Sequence, residues 1–213
     1  KTLRGILNNL DKNNSTFAIS KTEGKCNPKV IAQNSDWTAA FSANFGDKDP
    51  KFSNLDLANL DTENITNMTD MFRNQDQLKI IVGLEQWNIK NVKNMSSMFS
   101  WDRNLIRLNI DNWNTSNVTN MLCLFEQDES LNRLSIGNWD TSKVINMGGM
   151  FEGASSLSQL NISNWDTGQV TDMGGMFHSI AVTNLDLSGW DTSKVTDMSY
   201  MFAQNWNLLT IGD

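Results

Sequence analysis

The chain has 213 residues but only one histidine (His178), one tyrosine (Tyr200), two prolines and two cysteines. One imidazole leaves almost no room for histidine-dependent catalysis or a histidine-rich metal site. Cys26 and Cys123 lie far apart and form no CxxC, so there is no disulfide framework. A single bridge between them and two free thiols both fit. No apolar run approaches the roughly 18–20 residues that a membrane helix needs, and mean hydropathy is -0.41. Lys and Arg number 17 against 24 Asp and Glu, a net charge of -7. That excess of acid argues against a nucleic-acid or anionic-membrane surface, both of which want a basic stripe. No Ser/His/Asp set, phosphate-cradling glycine loop or zinc spacing appears, so no catalytic residue, cofactor or enzymatic activity is expected. The chain begins at Lys1, which reads as a mature or excised form with no signal peptide left to see.

What is abundant is methionine, 11 residues, and tryptophan, 8. Aligning on Met-Phe explains both. Phe72, Phe99, Phe125, Phe151, Phe177 and Phe202 are spaced 27, 26, 26, 26 and 25 residues apart, and Leu124-Phe125 is the variant copy. Apolar pairs at Leu55/Leu57, Val82/Leu84, Leu108/Ile110, Leu134/Ile136, Leu160/Ile162, Leu185/Leu187 and Leu209/Ile211 keep the same phase. So do Trp87, Trp113, Trp139, Trp165 and Trp190, with Leu60 in the first copy. A fixed period of this length marks a repeat architecture in which each unit buries its apolar side only against its neighbours.

Within one unit, Leu160-Asn161-Ile162 alternates and predicts a short strand. Asp166-Thr167-Gly168 is turn chemistry. Asp172 suits an N-cap, and Met173, Met176 and Phe177 at i, i+3 and i+4 predict one helical turn with its apolar side inward. Stacked strands would stand about 4.8 Å apart in a parallel sheet. The expected fold class is therefore an α/β solenoid. The Leu/Ile, Val, Met and Phe ladders would form its core. The Trp ladder reads as core filler, with an exposed ligand-binding strip as the alternative.

Trp165-Asp166-Thr167, Val170-Thr171-Asp172-Met173 and Met176-Phe177, recurring every 25–27 residues over about 53–213, resemble the 26-residue repeat of bacterial surface proteins and lipoproteins. That family is BspA-like and related to leucine-rich repeats. The resemblance implies a right-handed leucine-rich-repeat-like coil, a secreted or surface-anchored location, and a role in adhesion or host contact. It carries no catalytic residues over. Copies one to three depart locally, with Leu60 for Trp, Asn88-Ile89-Lys90 for Asp-Thr-Ser, and Met121-Leu122-Cys123-Leu124.

Residues 1–52 lack the repeat and are expected to form an N-terminal helical cap, with 53–213 holding six repeats and a partial seventh. Leu3, Ile6, Leu7 and Leu10 predict one amphipathic helix, and 11–30 a loop. Trp37, Phe41 and Phe45 predict a second helix, with Ser35 as N-cap and Gly46 as stop. At the other end the chain stops at Leu209-Thr210-Ile211-Gly212-Asp213, midway into a further unit: either the parent protein continues, or the last strand is an exposed edge open to self-association.

The candidate ligand surface is the outward face of the strands: Arg107, Asn109, Arg133, Ser135, Gln159, Asn161, Asn184 and Asp186. These positions vary while the core does not, as on a docking face, and equally as on any solvated one. Trp101 and Trp206 lie outside the ladder and are candidate exposed anchors. Asp140, Asp166 and Asp191 are equivalent positions in consecutive copies. Either each accepts its own turn's N–H, or the row binds Ca²⁺. The Asn67, Asn94, Asn120, Asn146, Asp172 and Asp197 row reads as helix N-caps. Thr62, Thr115, Thr141, Thr167 and Thr192, with Thr119, Thr171 and Thr196, form ladders that resemble an ice-binding array but suit turns equally. The Gly148-Gly149 and Gly174-Gly175 pairs are expected to permit close packing. The expected function is adhesion through an unidentified host or cell-surface protein or glycan. The alternative is a structural spacer that projects other domains.

Overall fold

The computed structural model describes residues 16–18, 30–31, 35–43, 51–208 and 210–211. Among these residues seven short strands form: β1 (Thr16–Ala18), β2 (Val30–Ile31), β3 (Asn54–Asp56), β4 (Leu60–Asp61), β5 (Ile80–Val82), β6 (Asn184–Leu185) and β7 (Thr210–Ile211). All pairing is parallel: β1-β3-β5 form one sheet, and β2-β4 and β6-β7 are separate pairs. Elsewhere the copies meet through single parallel bridges. One such row runs Asp36, Asn67, Asn94, Asn120, Asn146, Asp172, Asp197. Like positions of successive copies are therefore in register.

The expected α/β solenoid with a helical cap is not what forms. The described residues contain no α-helix, and the sole helical piece is a 3₁₀ turn at Leu84–Gln86. The reason lies in the Met-x-x-Met-Phe segments. The N–H groups of Met68, Asp70, Phe72 and Asn74 donate to the carbonyls of Asn94, Ser96, Met98 and Ser100 in the next copy, each at 2.9 Å. The intervening N–H groups of Met71 and Arg73 turn back to Met68 and Asp70 at 3.2 and 3.1 Å. An α-helix needs every N–H directed to the fourth residue back. Here alternate N–H groups leave for a neighbour, and the backbone becomes left-handed twice per copy. Asp70 and Asn74 sit at φ 54° and 64°, Ser97 and Trp101 at 52° and 68°, and Gly175 and Ser179 at 63° and 60°. The i, i+3, i+4 apolar pattern comes from consecutive tight turns.

The cap is corrected likewise. The first expected helix, with Phe45, Gly46 and Cys26, lies outside the described residues. Residues 35–43 form a degenerate copy of the repeat. The N–H groups of Trp37, Ala39, Phe41 and Ala43 donate to the carbonyls of Asn67, Thr69, Met71 and Arg73 at 2.7–2.9 Å. Trp37 and Ala40 stand where later copies have methionine, and Phe41 stacks on Phe72 at 5.4 Å between centroids. Part of the expected loop over 11–30 is β1 and β2.

Aromatic columns fill the interior. Phe41, Phe72, Phe99, Phe125, Phe151, Phe177 and Phe202 stack in turn, with centroids 5.4–5.9 Å apart. Trp87, Trp113, Trp139 and Trp165 are buried, so these indoles are core. Each indole N–H finds an acceptor in the preceding copy: Trp113 on Leu84 O at 2.8 Å, Trp139 on Ile110 O at 3.0 Å and Trp165 on Ile136 O at 3.1 Å. That removes the cost of burying a polar N–H.

One core position differs from the sequence reading. Ile81 is buried and Val82 exposed, because Leu55 pairs with Ile81. The second copy carries one extra residue there. Gly83 absorbs it at φ 94°, where a Cβ would stand 2.2 Å from the Ala58 Cα. Only glycine meets both demands.

Candidate functional site

The eight strand-face residues Arg107, Asn109, Arg133, Ser135, Gln159, Asn161, Asn184 and Asp186 are all exposed. The leucines between them, Leu108, Leu134 and Leu160, turn inward, so alternation places one set in the core and the other in solvent. Five of the eight, Arg133, Ser135, Gln159, Asn161 and Asn184, line one open hollow of about 410 Å³ together with Ser158 and Thr183. Arg107 is the parallel bridge partner of Arg133 in the preceding copy and continues the row beyond the hollow. Asp186 stands at the far end, and its Oδ1 accepts the Ser188 hydroxyl at 2.6 Å and N–H at 3.1 Å. Those bonds, the hydroxyl first, hold its carboxyl below the ordinary aspartate value.

The two arginines are distinctive. The ion pairs of the described residues are Lys51–Asp76, Arg73–Asp70, Lys90–Glu63 and Arg103–Glu129, and neither Arg107 nor Arg133 is in them. Two guanidiniums on bridged backbones thus stand without a carboxylate partner among the described residues, in a chain of charge -7. The rest of the hollow offers amides and hydroxyls. Asn161 Oδ1 accepts from Ser163, and Asn184 exchanges bonds with the Thr183 and Thr210 hydroxyls at 3.1 and 2.8 Å. Chemically the surface can accept and donate hydrogen bonds and hold an anion; it contains no nucleophile–base pair.

The other candidates separate. Trp101 is half-buried, and the Arg103 guanidinium lies 4.7 Å from its ring centre. Trp206 is 88% exposed and four copies away, so the two form no joint site. Asp140, Asp166 and Asp191 each accept the N–H two residues on, at 2.9–3.0 Å. The Ser142 hydroxyl and N–H lower the Asp140 carboxyl, and the Ser193 N–H and hydroxyl lower that of Asp191. Among the described residues no three His, Cys, Asp or Glu side chains gather to hold a metal ion. The Asn and Asp row from Asn67 to Asp197 does accept the N–H two residues on, at 2.8–3.1 Å, so it secures turns, not helix starts. The buried hydroxyls of Thr62, Thr115, Thr141 and Thr167 donate to carbonyls of the next copy at 2.9–3.0 Å. They are ties between copies. The last pairing, β6 with β7, leaves Ile211 47% exposed.

A second hollow, of about 380 Å³, lies over Gly148, Gly149, Gly174 and Gly175 between Cys123 and Tyr200. The role expected of these glycines is close packing alone. Gly149 and Gly175 are left-handed, at φ 59° and 63°. His178 Nδ1 stands 3.3 Å from Glu152 Oε1. Cys123 carries a free thiol, which burial first, then Glu126 and Glu152, push up to about 12. The thiolate form is disfavoured there.

Register, aromatic columns and an exposed strand face define a repeat protein whose copies are bonded neighbour to neighbour. The chain belongs to the family described as Mycoplasma protein of unknown function, DUF285, whose model matches residues 38–134 and 102–210. The first match begins inside the degenerate copy at 35–43. Searches of curated proteins and of solved structures return no match.

Proposed function

We propose that this chain is a non-catalytic binding domain, displayed outside a bacterial cell, that docks a cell-surface protein or glycan on its strand face. The BspA-like surface repeat is the finer family reading that goes with it, and adhesion is the role. The observation that carries the proposal is the open hollow of about 410 Å³ at Arg133, Ser135, Gln159, Asn161 and Asn184, extended by Arg107. Its side chains change from copy to copy while the residues beneath them stay leucine. The like charges of the bridged arginines repel, and an anionic group between them relieves this. Amides and hydroxyls beside them suit a partner rich in hydroxyls or main-chain amides.

The test is a screen of the purified chain against glycans and extracellular-matrix proteins, neutral and acidic. Arg107→Ala with Arg133→Ala should weaken a detected interaction at least tenfold while the melting temperature stays unchanged. Binding that ignores these arginines and the hollow moves the function elsewhere. The uniform interior favours one rival, a spacer that merely projects other domains. It expects no ligand in the screen and indifference to exchanging one copy for another.

A further inference from the structure

We infer that Asp102 and Asp128 are held in the fold as neutral carboxylic acids, so that the junctions between the first, second and third copies are firmest in acid and loosen as the pH rises. Both side chains are fully buried. They occupy one column with Gln75 and Asn205, just after the second left-handed residue of each copy. In this column one side-chain oxygen accepts a main-chain N–H from the preceding copy. Asp102 Oδ1 takes Gln75 N–H at 2.7 Å, Asp128 Oδ1 takes Asp102 N–H at 3.0 Å, and Asn205 Oδ1 takes Ile180 N–H at 2.9 Å.

The second side-chain atom distinguishes the amides from the acids. Gln75 Nε2 donates to the carbonyl of Phe41, and Asn205 Nδ2 to that of Phe177, at 2.8 and 2.6 Å. Each is the column phenylalanine of the preceding copy. In Asp102 and Asp128 the corresponding atom is Oδ2, which is buried without a partner in both. Equivalence with Gln75 and Asn205 in the column would put it opposite the Phe72 and Phe99 carbonyls. An ionised Oδ2 would place bare oxygen against oxygen, whereas a protonated one donates as the amide does. The charged groups acting on the pair point the same way. Burial first, then the Asp128 and Asp76 carboxylates, raises Asp102 against the lowering bond from the Gln75 N–H; burial first, then Glu126, raises Asp128 against the bond from the Asp102 N–H; both stand well above the ordinary aspartate value. The one cation beside them in sequence, Arg103, is turned outward to Glu129 at 3.3 Å and to the Trp101 ring.

A raised carboxyl binds its proton more tightly folded than unfolded. Its stabilisation is therefore complete below about pH 3.9, the unfolded value, and is lost as the pH rises towards the folded value. Asp102 and Asp128 also accept, through their main-chain carbonyls, the N–H groups of Leu105 and Leu131 at 2.8 and 3.0 Å. These turns lead into Arg107 and Arg133, so loosening them reaches the strand face.

Infrared spectra at about pH 5.5, more than a unit above the ordinary aspartate value, test the inference on the unaltered chain. A protonated-carboxyl band should be present and should vanish in Asp102→Asn/Asp128→Asn. In thermal unfolding from about pH 4 upward, the double variant should lose the downward slope and melt at least about 2–4 °C higher at neutral pH. Should the double variant fail to fold, the wild-type band and single variants decide. A wild-type chain with no such band, or variants that keep the wild-type slope, would overturn the inference.

Discussion

The fifth and sixth copies carry almost the same words, Trp165-Asp166-Thr167 and Trp190-Asp191-Thr192, yet their environments differ. Trp165, Thr167 and Met173 are buried. Trp190 is half-buried, Thr192 is exposed, and Met198 is 43% exposed. Local sequence is constant, so burial here is set by what stacks on the next face. Copies two to five each meet a following one that accepts their N–H groups and covers their indole. Among the described residues nothing accepts from the N–H groups of Met198, Tyr200, Phe202 and Gln204. This is the nearest-neighbour energetics expected of repeat proteins.

The contrast can be broken at several strengths. Trp165→Ala removes a buried ring and its bond to Ile136. It should cost about 3–5 kcal/mol in chemical denaturation, against less than half of that for Trp190→Ala. Equal costs would mean that the last copy is as well covered as the fifth. At the second copy, Gly83→Ala forces a Cβ onto the Ala58 backbone at a positive φ. A loss of roughly 1–3 kcal/mol is expected, and an unchanged melting temperature would remove the account of the extra residue. Thr141→Val orphans the Asp166 carbonyl and should cost about 1–3 kcal/mol, whereas Thr192→Val should be close to neutral.

Much of this was legible in the sequence. The Met-Phe, Trp and Leu ladders gave the period and the phase, because each copy needs the same filler at the same place. The helix was misread because consecutive left-handed turns at Asp70 and Asn74 produce the i, i+3, i+4 spacing that a helix would. No apolar pattern reports the sign of φ. The copy at 35–43 was hidden by Trp37 and Ala40 in the methionine places and by a 31-residue step from Phe41 to Phe72. Val82 reads as core because Gly83 adds a residue unannounced. The strand face was found by simple alternation. Nothing in the sequence marks Asp102 and Asp128 as buried, since only the fold reveals what covers them.

The smallest effect concerns the surface carboxylates, which run opposite to the buried pair. The Ser142 hydroxyl and N–H lower the Asp140 carboxyl from 3.8. Such a group contributes stability above its unfolded value and loses it as the pH falls through its folded value. Asp140→Asn should leave the neutral-pH melting temperature nearly unchanged and shrink the loss below about pH 3.8. A larger change at neutral pH than in acid would reverse this reading.

Hydrogen exchange at single main-chain amides probes most directly whether alternate N–H groups are committed to the following copy. The amides of Phe99, Phe125, Phe151 and Phe177, bonded to the next copy at 2.9–3.1 Å, should exchange slowly, and that of Phe202 rapidly. Uniform protection of all five, or rapid exchange at Phe125 and Phe151, would contradict the stack.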